Sequence, residues 1–320
     1  MLLSEAIERL LIATQADGLS PVTTEGYRIK LRPLLNFLGD VPVESITTDD
    51  LRRYIAHLRE RKTLYPRHPN HKEREGRLSM ATINSLVRAL KRLFNFLESE
   101  GIIEVTPTRR IKTPRLQRRE PKAASIEDLK AILNTLSDGR VEDRRDRAIF
   151  MMLIDTGCRV SGLCGLKVTD IDLEKGEATV TEKGGKSRVV FFTPPTAEAL
   201  RSWLEVRPPD QGDWLFVSLG NKAQGALSIG AVEQILKRRA RKAGVKGRVN
   251  PHAWRHAFAR EYLKNGGDLS TLSDLMGHAS LEVTRTSYAI FTQEELREKH
   301  RRHSPVTQLQ LEEENGGQEA

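Results

Sequence analysis

In residues 22–38, Tyr27, Leu31, Leu34, Leu35 and Leu38 recur at steps of three and four, the spacing of one face of a helix. Pro33 lies inside that pattern and predicts a kink. A longer stripe, Ile83, Leu86, Val87, Leu90, Leu93, Phe94 and Leu97, follows Ser79, a good capping residue, and Gly101 closes it. Between the two, Thr47 or Thr48 opens a helix whose first turn sets two aspartates at the positive end of the helix dipole. The chain begins with a further amphipathic segment, expected to start behind Ser4 as cap and to stop near Gly18. Four such helices with short connections predict a small bundle over residues 1–115.

Residues 61–77 interrupt the periodicity with prolines, histidines and six Lys/Arg against two Glu. A solvated loop fits this segment, and so does a basic arm that meets phosphates on binding. Residues 113–122 are again basic, contain two prolines and show no apolar period, which reads as an interdomain linker. The expected divisions are a bundle at 1–115, a linker at 116–122, a second domain at 123–304 and a polar tail at 305–320.

The second domain is mixed. A helix capped by Ser125 is expected to run to about residue 136, and the strongly apolar helix at 144–155 should lie in the core. Residues 171–192 alternate as strands around a KGGK turn, predicting a hairpin with room for one more edge strand. Helices follow at about 195–205, 228–243, 251–265, 268–276 and 281–288, with another over 293–299. The fold class is therefore mainly α with a small β-hairpin or sheet.

Composition narrows the function. With 38% apolar residues, the 320-residue chain can bury a substantial core, and no run of eighteen apolar residues suggests a membrane span. The N-terminus lacks the basic start and cleavage site of a signal peptide. Two cysteines, Cys158 and Cys164, six apart in what reads as one helical region, fit a reduced cytoplasmic protein. The net charge of +9 favours a polyanionic partner. Residues 1–115 carry 20 Lys/Arg against 14 Asp/Glu, so the excess lies in the body, while the tail is acidic. There is no P-loop, no carboxylate cluster at metal spacing and no Cys/His zinc set, so no cofactor or metal is expected.

Four short motifs carry the candidate chemistry. They are Thr156-Gly157-Cys158-Arg159-Val160-Ser161, Lys183-Gly184-Gly185-Lys186-Ser187-Arg188, His252-Ala253-Trp254-Arg255-His256, and Leu275-Met276-Gly277-His278 followed ten residues later by Tyr288. Singly, each has an ordinary reading: a surface arginine at a helix end, a solvated hairpin tip, a structural pair on one helix face, a helix cap, a core tyrosine. Together, in this order, they resemble the tyrosine recombinase (phage integrase) family, including its Xer-like site-specific members, over nearly the whole chain.

That resemblance implies a helical SAM-like core-binding domain joined to an α+β catalytic domain, closing as a clamp on duplex DNA. It implies strand cleavage and rejoining through a 3′-phosphotyrosine, without metal or ATP. Arg159 and Arg255 would hold the non-bridging oxygens of the scissile phosphate, a task suited to a planar, permanently charged fork. Tyr288 would be the nucleophile, His252 its base or hydrogen-bond acceptor, and His278 a donor to the phosphoryl oxygen. Lys183 would protonate the departing 5′-oxygen, with Lys186 as the runner-up. Trp254 and His256 read as packing and supporting residues. The resemblance further implies a homotetramer on two DNA sites that exchanges a C-terminal helix, for which residues 293–302 are the candidate, in a cytoplasmic, nucleoid-associated enzyme of chromosomal or mobile-element DNA. Two departures stand out. Many family members carry Glu three residues after the first arginine, where this chain has Gly162. The His278–Tyr288 interval is ten residues, where nine is commoner. A type IB topoisomerase-like enzyme and a catalytically inert DNA-binding relative are the alternatives.

Overall fold

The structure, a computed structural model, describes residues 1–64, 74–116, 123–182, 185–220, 225–277 and 280–288, with residues 293, 297, 298, 300 and 301. The chain divides into two compact units, Met1–Arg118 and Arg119–Ala320.

The first unit contains four α-helices: α1 (Leu3–Ala16), α2 (Pro21–Leu38), α3 (Thr48–Glu60) and α4 (Met80–Ser99), with a two-residue antiparallel pair, β1 (Thr63–Leu64) and β2 (Arg74–Glu75), before α4. Hydroxyls set the starts of three of them. Ser20, Thr47 and Ser79 accept the backbone N–H of Thr23, Asp50 and Thr82. At Thr47 the Asp50 carboxylate returns the bond, which completes a capping box. α1 differs from expectation: its N-cap is Leu2, and Ser4 sits inside the helix with its hydroxyl donating to Asp40 at 2.7 Å. Pro33 is accommodated within α2. The residue one turn earlier, Ile29, is exposed, which places this stretch of α2 on the solvent side of the bundle. The α4 stripe is buried at every position named above and forms the centre of the bundle core with Leu3, Leu10, Leu31 and Leu51. Each such side chain contributes roughly 1.5–3 kcal/mol.

The second unit surrounds α6 (Val141–Thr156), which follows α5 (Ile126–Leu133). α5 ends three residues before the expected stop, giving way to turns at Asn134 and Thr135. The apolar run of α6 buries Ala148, Ile149, Phe150, Met152 and Leu153. A five-residue helix, α7 (Val160–Cys164), comes next, so Cys158 lies in the preceding loop and the two cysteines do not share a helix; both are free and buried. A three-stranded antiparallel sheet follows in the order β3 (Ile171–Asp172), β4 (Glu177–Thr181), β5 (Ser187–Phe191), which bears out the hairpin with one edge strand. Thr179 pairs with Val189 and Thr181 with Ser187. Ala178, Val180 and Val190 face the core, while Val189 and Phe191 face out.

The remaining helices are α8 (Pro194–Val206), α9 (Ile229–Lys242), α10 (Pro251–Lys264), α11 (Leu269–Met276) and α12 (Leu281–Tyr288). α8 packs along α6, and Trp203 donates from its indole to the Leu215 carbonyl at 2.8 Å. α9 is held to α6 by a buried ionic cluster in which the wholly inaccessible Asp146 accepts from Arg145 and Arg239, and Asp143 also pairs with Arg239. Removing one member of such a cluster leaves an unpaired buried charge and costs roughly 3–5 kcal/mol. Among the described residues no helix is long and apolar enough to cross a membrane.

Candidate active site

The site forms where the loop after α6, the hairpin of β4 and β5, and helices α10 to α12 meet. Gly157 ends α6 in the left-handed region at φ 58°, and a Cβ there would lie 2.3 Å from the Phe258 ring on α10. Glycine is therefore required both for the turn and for the approach of α10. Two residues later Arg159 occupies the N-cap of α7, with its side chain 34% exposed.

Arg255 is buried on α10 at 5% exposure. One arm of its guanidinium donates to the Gly157 carbonyl, and the other donates to the Met276 carbonyl at 2.7 Å. Arg188, from β5, donates to the Leu275 carbonyl at 2.6 Å. Both arginines thus satisfy carbonyls at the C-terminus of α11 that have no helical partner, at the negative end of its dipole. Gly277 then turns out of the helix at φ 62°, and a Cβ on it would strike the Arg188 side chain at 2.6 Å. The Leu-x-Gly part of the motif has a structural reason in this arrangement: a helix end whose last carbonyls take two arginines, closed by a left-handed glycine. His278 itself, like Lys183 on the hairpin, lies outside the described residues.

Tyr288 ends α12 partly buried, and its hydroxyl oxygen accepts a hydrogen bond from Arg255. Burial pushes its phenol above the usual value, against the opposing charges of Arg255 and Arg159. Burial also pulls the Arg255 guanidinium down, helped by the neighbouring Arg159, although arginine remains a cation at neutral pH. The structure therefore brings three predicted residues together: Arg159, Arg255 and Tyr288. His252 is exposed on the first turn of α10, and it is His256 whose ring lies against Tyr288, 5.1 Å between centroids. Burial, His252 and Arg255 all lower the His256 pKa, which keeps that imidazole neutral near pH 7. Its Nδ1 is buried without a hydrogen-bond partner among the described residues. Trp254 is fully buried and packs at a tilt against Phe150, 5.1 Å between ring centroids.

One residue of the site was not singled out from sequence. Glu182, at the end of β4, is 6% exposed and pairs with both Arg159 and Arg188. Its carboxylate is held below the usual range by the Arg159 backbone N–H and the charges of Arg188, Arg159 and Arg255, which outweigh its desolvation. The only signal in the sequence was its position directly before Lys183. Among the described residues there is no group of three or more His, Cys, Asp or Glu placed to hold a metal.

A helical unit, a mixed unit and two arginines beside a tyrosine hydroxyl define the class of enzymes that join DNA strands through tyrosine. Residues 124–295 match the model of the phage integrase family, and residues 8–101 match that of the phage integrase N-terminal SAM-like domain. The chain is 33% identical to tyrosine recombinase XerA of Thermococcus kodakarensis over 307 residues, covering 96% of this chain and 98% of that one. A crystal structure of XerA recombinase aligns with a TM-score of 0.52 and 29% identity, over 94% of this chain and 99% of that one. A lambda integrase tetramer bound to a Holliday junction shares the fold, with a TM-score of 0.69 and 19% identity over 90% of this chain and 77% of that one. The chain belongs to the phage integrase family and is a Xer-like tyrosine recombinase, a site-specific enzyme that cleaves and rejoins DNA. The mainly helical fold with a small three-stranded sheet in the second unit agrees with the class expected from sequence.

Proposed function

We propose that Arg159 and Arg255 clamp the two non-bridging oxygens of the scissile phosphate, and that the Tyr288 oxygen attacks phosphorus to give a 3′-phosphotyrosine and a free 5′-hydroxyl. The single observation that carries this reading is the hydrogen bond from Arg255 to the Tyr288 hydroxyl, with Arg159 close enough to act on the same phenol. Attack adds negative charge to the phosphoryl oxygens. Two guanidiniums fixed in advance, one of them buried, stabilise that charge without reorganising. Because burial holds the Tyr288 phenol protonated, a base has to take its proton as the bond forms. His252 is assigned that role, with His278 donating to a phosphoryl oxygen and Lys183 protonating the departing 5′-oxygen. Attack by a 5′-hydroxyl of a partner strand then reverses the step on a new end.

The helical unit 1–115 would grip one face of duplex DNA, connected through residues 116–122 to the catalytic unit 123–304. The lambda integrase tetramer bound to a Holliday junction supports a homotetramer for this chain; its assembly on two sites and its action on nucleoid DNA in the cytoplasm belong to the same proposal. The test uses a duplex nicked beside the scissile phosphate, chosen by binding selection from a random library, so that cleavage traps the covalent adduct. Wild type forms the adduct and Tyr288→Phe does not. Arg159→Ala and Arg255→Ala bind the duplex but lose on the order of 100-fold or more in adduct formation, the scale of a lost oxyanion donor. Normal cleavage by either alanine variant would end the clamp assignment.

A further inference from the structure

The acid expected three residues after Arg159 is missing, because that position is Gly162. The space it would occupy is filled. A Cβ on Gly162 would sit 3.3 Å from Cγ of Glu182 and 3.4 Å from Cβ of Val180. Glu182 enters that space from the end of β4. One carboxylate oxygen accepts the Arg159 backbone N–H at 3.0 Å and an Arg188 N–H at 3.3 Å. The other pairs with the Arg159 guanidinium. The same residue closes the hairpin turn through its backbone, donating to the Lys186 carbonyl at 3.0 Å and accepting from Gly185 at 3.1 Å.

From this geometry we infer that Glu182 is the positioning residue for Arg159: a strand-borne carboxylate that replaces one usually carried on the helix, made possible by the glycine at 162. The inference rests on the clamp assignment above. A side chain one-third exposed, such as that of Arg159, has many rotamers available. A carboxylate gripping both its backbone and its guanidinium fixes the direction in which the remaining N–H groups point. Arg188, anchored on the α11 carbonyl, fixes the carboxylate in turn. Because Glu182 immediately precedes Lys183, the same contact ties the hairpin to the arginine clamp. Glu182 touches no substrate in this scheme and acts only through Arg159.

The position of the carboxylate can be exchanged to test this. Adduct formation on the nicked duplex is measured under single-turnover conditions for E182Q, E182G, G162E and G162E/E182G, with Arg159→Ala alongside. Duplex affinity and thermal midpoint are recorded for each variant. E182Q and E182G should cleave on the order of 100-fold more slowly, the cost of about 1 Å of misplacement, with duplex affinity little changed. G162E alone should also be slow, because two carboxylates then compete for one arginine. The double variant should regain at least tenfold over E182G. A purely structural role predicts no such recovery, since the exchanged chain keeps neither native contact. Should E182G not fold, the near-isosteric E182Q carries the test. Wild-type rates for E182Q, or a folded double variant no faster than E182G, would overturn the inference while a dead Arg159→Ala leaves the clamp intact. A normal rate for Arg159→Ala would instead overturn the clamp itself.

Discussion

Tyr288 is the residue on which two physical effects compete. Burial favours its neutral phenol, while Arg255 and Arg159 favour the phenolate, and burial prevails. The sign follows directly: in the free enzyme the phenol stays protonated through neutrality and ionises only above the ordinary value of about 10. The difference in phenolate absorbance between wild type and Tyr288→Phe, titrated without DNA, should show no step below about pH 10. A step near pH 8 would mean that the arginines outweigh burial. The assignment of His252 as that base is a proposal that its exposed position leaves to be completed by substrate. His256, already against the Tyr288 ring, supports the phenol from the side and is held neutral mainly by burial, with the nearby Arg255 charge adding to it.

At the scale of elements, the site depends on how α11 ends. Its last carbonyls accept from Arg188 and Arg255, and Gly277 makes the turn between them and the residue that follows. Gly277→Ala forces a side chain into the left-handed region and against Arg188, 2.6 Å away. We expect a stability loss of roughly 1–3 kcal/mol, read as a lower thermal midpoint, together with slower cleavage; an unchanged midpoint and rate would show that the turn relaxes freely. The sequence made the long elements legible. The stripes of α2 and α4 repeat often enough to define a period, and hydroxyl caps mark α3, α4 and α5. Short or competing signals were not legible. α7 has five residues, too few to show a period, and Ser4 is drawn off capping by Asp40 from a distant loop. Glu182 escaped notice because its partner lies 23 residues earlier in the chain, and Gly162 looked like a loss because the acid that compensates for it belongs to a strand. Arg159, Arg255 and Tyr288 were legible because their motifs are local and their order is distinctive.

At the scale of the whole molecule, the charge balance and the site point the same way. A net charge of +9 suits a polyanionic partner whose backbone is held before chemistry begins. In the proposed site, the positive charge that a phosphoryl transition state needs would come from Arg159 and Arg255. Adduct formation should therefore persist at full rate in EDTA and return no faster when magnesium is added. Loss of activity on chelation would show that an ion supplies charge the guanidiniums do not.

The most direct measurement is to digest the trapped protein–DNA adduct and locate the attached nucleotide by mass spectrometry. A 3′-nucleotide on the peptide that contains Tyr288, at its phenolic oxygen, is the predicted result. Attachment at Tyr262 or any other side chain, or an adduct of the same mass formed by Tyr288→Phe, would contradict the account.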